Sequence, residues 1–232
     1  MQEIQKALMA LADPKIAEHS QRFFKTGKGE YGEGDLFLGI RVPKLRELVR
    51  KHKEVTVDEA VELLQSKYHE ARLLALLILV ARFQQGSEEN KKAIYEIYLD
   101  NTRQINNWDL VDSSADKIVG GYLLGRERGP LYKLAKSIDL WERRIAIIAT
   151  FAFIRVNDFD DVLMISKQLI NDPQDLIHKA VGWMLREVGK RDQQREERYL
   201  KKRYRQMPRT MLRYAIERFP EKLRNSYLNG IV

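Results

Sequence analysis

Lys179-Ala180-Val181-Gly182 opens an apolar stretch with one basic residue, and the same order recurs along the chain. It is found at Arg144-Ile145-Ala146-Ile147, 35 residues earlier, and at Arg213-Tyr214-Ala215-Ile216, 34 residues later. A fourth copy, Arg72-Leu73-Leu74-Ala75, precedes the Arg144 copy by 72 residues. That distance corresponds to two repeats, and the segment around Asp109 supplies the repeat expected between the two copies. A period of roughly 35 to 40 residues built from paired helices is typical of a HEAT-like solenoid.

Local signals also favour helices throughout. Thr56-Val57-Asp58-Glu59 has the order of a capping box, and no alternating β-branched run of strand length is present. We therefore predict an all-α protein: a HEAT-like or armadillo-type α-solenoid of stacked antiparallel helix pairs with a concave basic groove, forming one domain over residues 1–232. Four prolines stand where a first helical turn would begin: Pro43, Pro130, Pro173 and Pro208.

Composition limits the possible partners and chemistries. The 232 residues include 41 Lys and Arg against 33 Asp and Glu, a formal charge of +8, which favours a polyanionic partner such as nucleic acid. Cysteine is absent, so disulfides, thiolate nucleophiles and cysteine metal sites are excluded. The four histidines lack the spacing of a zinc site, and we expect neither a metal nor a cofactor.

The distribution of apolar residues bears on location. The longest uncharged apolar runs, 73–81 and 145–154, are far shorter than the roughly 20 residues that span a bilayer. The first residues also lack the basic-then-apolar order of a signal peptide. We expect a cytoplasmic monomer without a membrane partner.

Two further segments leave alternatives open. Residues 25–35 hold four of the 13 glycines and predict a loop, which either touches a partner or only joins two helices. The segment lacks the ending of a phosphate-binding P-loop. The basic stretch 195–205 is either a solvated helix face or a contact for a DNA backbone.

Tryptophans paired with charged residues mark the candidate site. Trp108 and Asp112 are four positions apart, so a helix would place them on one face. An indole face attracts cations by about 0.5–2 kcal/mol, and a nearby carboxylate can stabilise a sugar that develops positive charge. Trp183 offers a second aromatic wall. The ordinary alternative is that Asp112 caps a helix and that each tryptophan belongs to the core.

Four ordered motifs stand out in the chain: Asn107-Trp108-Asp109-Leu110-Val111-Asp112, the pair Trp141 and Arg144, residues 179–187, and Asp35 to Pro43. Together they resemble the motifs of the AlkD family of DNA alkylation repair proteins. The resemblance runs from about Phe23 to Phe219, and four ordered motifs are more specific than any one of them.

That resemblance implies a glycosylase that excises purines alkylated at N3 or N7 from double-stranded DNA, without base extrusion. It implies Asp112 as the catalytic carboxylate, Trp108 and Trp183 as walls beside the deoxyribose, and Arg144 as a phosphate contact. We add to the DNA contacts the other basic residues of these motifs and repeats, Arg143, Lys179, Arg186, Arg72 and Arg213. A catalytically silent DNA-binding solenoid and a protein–protein scaffold are the alternatives.

Overall fold

The computed structural model describes residues 2–232, and within them every regular element is helical. The only strand-like pairing among these residues is one isolated parallel bridge, between Leu36 and Tyr68. The chain divides into two compact units, one ending at Ser114 and the other beginning at Ala115. The prediction of an all-α protein is confirmed, and the helices of each unit pack mainly on near neighbours in the chain, as in an α-solenoid. The concave basic groove remains a prediction.

The first unit is organised around one long helix, α5. This helix is apolar around most of its circumference, so it is buried from His69 to Leu76, and α3, α4 and α6 pack against it. The helices of this unit are α1 (Gln2–Met9), α2 (Pro14–Phe23), α3 (Val42–Lys51), α4 (Val57–Leu64), α5 (His69–Gln85), α6 (Glu88–Asp100), a 3-10 turn (Thr102–Gln104) and α7 (Trp108–Ala115).

Glu70 attaches the segment before α3 to the start of α5. Its buried carboxylate accepts hydrogen bonds from the backbone amides of Leu38 (2.8 Å), Gly39 (2.7 Å) and Ile40 (3.1 Å). The backbone donors of these residues are therefore satisfied without a partner strand. Gly39 has φ of +80°, and a Cβ there would lie 2.1 Å from the carbonyl oxygen of Asp13, so only glycine fits.

The second unit is centred on α13, which packs against α15, α10 and α14. Gly182 permits the close approach of α15, since a Cβ at this position would lie 2.5 Å from the carbonyl oxygen of Met211. The elements are a π-helical turn (Asp116–Gly120), α8 (Gly121–Leu123), α9 (Gly129–Leu134), α10 (Leu140–Ala149), α11 (Phe151–Ile154), α12 (Asp160–Gln168), α13 (Asp175–Gly189), α14 (Gln193–Lys201), α15 (Arg209–Ala215), a 3-10 turn (Ile216–Arg218) and α16 (Glu221–Asn229).

The helix start signals largely agree with the structure. Thr56 and Glu59 form the expected reciprocal capping box at α4. Pro43 and Pro130 lie in the first turns of α3 and α9, and Pro208 is the N-cap of α15. Pro173 instead precedes α13 by two residues, because that helix begins only at Asp175. None of the helices in residues 2–232 combines the length and apolar character needed to cross a bilayer.

Candidate functional site

Helix α7 carries Trp108 in its first turn and Asp112 one turn later, and both side chains are half-buried. The helix begins where the backbone carbonyl of Asn107 accepts its first helical hydrogen bond, from the amide of Val111 (3.2 Å). The side-chain oxygen of Asn107 also accepts from the amide of Trp108 (2.8 Å). The spacing read from the sequence therefore does place the indole and the carboxylate on one helical face.

A stack of aromatic rings supports Trp108. Phe24 lies nearly parallel to the indole, with ring centres 5.2 Å apart and planes inclined by 17°. Phe37 covers the neighbouring position in the stack, 5.0 Å from Phe24 at 20°. Phe23 meets the indole edge-on at 6.0 Å and is 58% exposed. Such contacts add to area burial by about 0.5–1.5 kcal/mol per pair, so the indole has a defined orientation.

His69 packs against both Phe24 and Phe37, with its ring centre 4.9 Å from that of Phe24, and forms a charged network. Its ring is 4.6 Å from Phe37 at 21°, and its side chain is only 2% exposed. The Nδ1 atom is 3.2 Å from Asp35 Oδ2, and the Nε2 atom is 2.8 Å from Asp109 Oδ2. Arg72 donates to the other Asp35 oxygen at 2.7 Å. The four groups combine two carboxylates with two cations.

The protonation of this network follows from these contacts. Burial lowers the pKa of His69, but hydrogen bonds to Asp109 and Asp35 outweigh it and raise the pKa to about 9. Burial alone would raise the pKa of Asp35, but the hydrogen bond from His69 and the charge of Arg72 outweigh this effect, so the pKa is lowered. At neutral pH His69 is an imidazolium that donates from both nitrogens. One oxygen of Asp109, Oδ1, is buried without a hydrogen-bond partner among residues 2–232.

A cleft of about 440 Å³ lies beside the network within the first unit. Phe24, Phe37, His69 and Asp109 form part of its wall, and Arg41 is among the remaining lining residues. Both phenyl rings also pack against other rings of the stack.

The other proposed catalytic side chain belongs to the second unit. Trp183 is half-buried on α13, its indole nitrogen donates to Glu187 Oε1 (3.1 Å), and Phe151 lies 6.1 Å away at a tilt of 59°. Trp141, the motif partner of Arg144, is buried on α10. The N-cap Asp139 accepts a hydrogen bond from its backbone amide.

Most of the basic residues assigned to DNA have partners within the chain. Arg213 differs, because it is exposed and makes no ion pair with any residue of 2–232. Arg72 and Arg144 are buried, so their alignment reflects the point at which each helix enters the core. The recorded partners are Asp35 for Arg72, the Leu176 carbonyl for Arg144, Asp172 for Arg143, Asp175 for Lys179 and Glu217 for Arg186.

Sequence reasoning gave His69 no role, and it named Asp35 and Asp109 only as parts of motifs. His69 had been set aside because the four histidines lack metal spacing, and its partners are 34 and 40 residues away. The available signal was that both aspartates fall inside the quoted motifs. No group of three histidine or carboxylate side chains within the described residues is placed to hold a metal ion.

Comparisons with known proteins agree with this architecture. The structure is similar to that of a predicted DNA alkylation repair enzyme from Enterococcus faecalis, with a TM-score of 0.70, 18% identity, and coverage of 90% of this chain and 97% of that one. At that identity the similarity shows the fold alone. No curated protein matches the sequence. Residues 4–219 match the family model described as DNA alkylation repair enzyme, so this chain belongs to the family of DNA alkylation repair enzymes.

Proposed function

We propose that the protein is a monofunctional DNA glycosylase that hydrolyses the N-glycosidic bond of N3- or N7-alkylated purines in double-stranded DNA. The observation that carries the proposal is the half-buried carboxylate of Asp112, one helical turn from the half-buried indole of Trp108. Membership of the DNA alkylation repair family supports the same kind of substrate. The formal charge of +8 is in accord with a polyanionic partner.

The substrate itself reduces the catalytic task. Alkylation at N3 or N7 makes the purine cationic, so the base departs as a neutral molecule and needs no prior protonation. Positive charge then develops on the deoxyribose, where an ionised carboxylate stabilises the oxocarbenium-like transition state and orients the attacking water. In this proposal Asp112 has that role, while Trp108 supplies a π-face that attracts the cationic sugar.

The DNA contacts belong to the same proposal. Arg213 is the best supported of them, since its exposed guanidinium is unpaired within residues 2–232. Lys179 and Arg186 could exchange their intramolecular carboxylates for phosphates at the protein surface. Arg143 donates to four acceptor atoms within its own unit. Arg72 and Arg144 are buried. In this proposal these three arginines shape the helices rather than contact phosphates.

The test measures release of free 7-methylguanine and 3-methyladenine from alkylated duplex DNA. Asp112→Asn should slow release by about 100-fold or more while leaving duplex affinity within about two-fold, because only the transition state carries the sugar charge. Asp100→Asn, the same substitution at an exposed position ending α6, is the matched control and should release base at the wild-type rate.

Two results would count against the proposal. If Asp112→Asn releases base as fast as the wild-type protein, Asp112 is not the catalytic carboxylate. If the wild-type protein binds alkylated duplex tightly yet releases no base, the protein is a catalytically silent DNA-binding member of its family.

A further inference from the structure

The cluster formed by Asp35, His69, Arg72 and Asp109 is the part of the first unit that the proposed chemistry leaves unused. It is almost closed to solvent, since the side chains of His69 and Asp109 are 2% and 13% exposed. Three separate segments meet in it: the end of the glycine-rich loop, the first turn of α5 and the first turn of α7. A cluster of this kind fixes the relative placement of the segments that it joins.

Two sets of contacts connect His69 to the residues proposed for the reaction. The first runs along the backbone, because Asp109, bonded to His69 Nε2 at 2.8 Å, directly follows Trp108 and precedes Asp112 by three residues. The second runs through rings, because the imidazole packs against both Phe37 and Phe24, and Phe24 stacks on the indole of Trp108. Rotation of α7 about its axis would break the hydrogen bond and disturb the stack together.

We propose that Asp109, held by His69, is a positioning residue that sets the rotation of α7 and so orients Trp108 and Asp112 toward the sugar of the lesion. The inference rests on the proposed function and deepens it. Asp109 itself does not touch the substrate in this account. Asp109 acts through α7, whose orientation it fixes. A misplacement of the catalytic groups by about 1 Å can slow a reaction by about 100-fold.

Single-turnover base release by two substitutions at Asp109 tests the proposal. Asp109→Ala removes the tether and should lower the first-order rate constant about 10- to 100-fold with full reaction amplitude. Asp109→Asn keeps the shape and a hydrogen bond to His69, so it should retain the rate constant within about three-fold. That rescue separates positioning from a need for the negative charge.

A control and a second variant exclude loss of folding as the explanation. Asp161→Ala removes a carboxylate of similar exposure, 15%, that is bonded to Arg128 and Tyr132 in the second unit. It should lower the melting temperature but not the rate constant, since a partly unfolded sample loses amplitude rather than rate. His69→Ala should slow the rate as Asp109→Ala does, and the double variant should be no slower than the slower single variant.

A readout independent of activity is the ¹⁹F spectrum of protein labelled with 5-fluorotryptophan. The Trp108 resonance, identified by its loss in Trp108→Phe, should shift or broaden in Asp109→Ala and stay near its wild-type position in Asp109→Asn. The Trp141 and Trp183 resonances serve as internal references.

These measurements also separate the failure of the positioning role from that of the proposed function. An unchanged rate constant and an unchanged Trp108 resonance in Asp109→Ala would overturn the inference, as would equal slowing by Asp109→Asn. If the wild-type protein releases no base, the proposed function fails, and the Trp108 resonance alone decides whether the tether orients α7.

Discussion

Replacing Glu196 by glutamine should stabilise the protein at neutral pH, because this carboxyl group is buried without enough polar contacts to offset its loss of hydration. Glu196 is 1% exposed, and its Oε1 atom has no hydrogen-bond partner among the described residues. Its other oxygen lies over Gly189, where a Cβ would come within 1.7 Å of it. Burial, with a smaller contribution from the charge of Glu197, raises the pKa of Glu196 to about 9.

The expected magnitude follows from proton linkage. The unfolded chain releases this proton near its ordinary pKa of 4.5, whereas the folded protein retains it up to about 9. The contribution of Glu196 to stability is therefore fully present below about pH 4.5 and is lost as pH rises through about 9. Each pH unit above the unfolded pKa corresponds to about 1.4 kcal/mol. The free energy of unfolding of the wild-type protein is therefore lower by about 3 kcal/mol at pH 7 than it is below that pKa. Glutamine cannot ionise, but its own buried amide reduces the gain to about 1–3 kcal/mol.

Urea denaturation of the wild-type protein and Glu196→Gln between pH 5 and pH 9 measures this difference. The variant should unfold at a higher urea concentration at pH 7, and its advantage should grow toward pH 9 and shrink toward pH 5. Glu127→Gln, at an exposed position of the same unit, should change stability by less than about 0.5 kcal/mol at every pH. An advantage that is absent, or that does not vary with pH, would show that the buried Glu196 carboxyl group does not destabilise the folded protein in this way.

Three further predictions concern other parts of the molecule. Protonated His69 stabilises the fold fully below about pH 6.5, and because its pKa is raised this contribution is lost only as pH rises through about 9. In the Glu196→Gln background, the free energy of unfolding should therefore fall between about pH 7 and pH 10. His69→Gln should remove that pH dependence, as measured by urea denaturation. Gly182→Ala should lower the free energy of unfolding by about 1–3 kcal/mol, because the added methyl group meets the backbone of α15; an unchanged melting temperature would contradict this packing. Arg213→Gln should reduce the slope of log DNA affinity against log salt by about one without changing the melting temperature. The buried Arg144 provides the contrast, since Arg144→Ala should lower the melting temperature.

The fold was accessible from the sequence because its signals are local. The capping box of Thr56 and Glu59 spans four residues, and the recurring segments at Arg144, Lys179 and Arg213 each lie in a helix, as predicted. The pairing of Trp108 with Asp112 was equally visible, since one helical turn separates them. Such features need no knowledge of how distant segments meet.

The parts of the site that were missed depend on long-range contacts. His69 is an isolated histidine in the sequence, and only the folded chain brings Asp35 and Asp109 to its two nitrogens. Arg72 resembles a surface cation when its helix is read alone, yet Asp35, 37 residues away, satisfies its charge in the interior. A basic residue before an apolar run marks where a helix becomes buried, and its partner decides whether the side chain is exposed.

The carboxylate of Glu70 has a practical consequence for the glycine-rich loop. Because it holds the backbone amides of residues 38–40, the chain after the loop is anchored to α5 by a side chain rather than by the loop itself. Residues 27–30 are exposed and precede this anchor, so extra residues inserted there leave the anchored segment in place. That stretch is the natural point at which to introduce an affinity tag or a fluorescent label without disturbing α7.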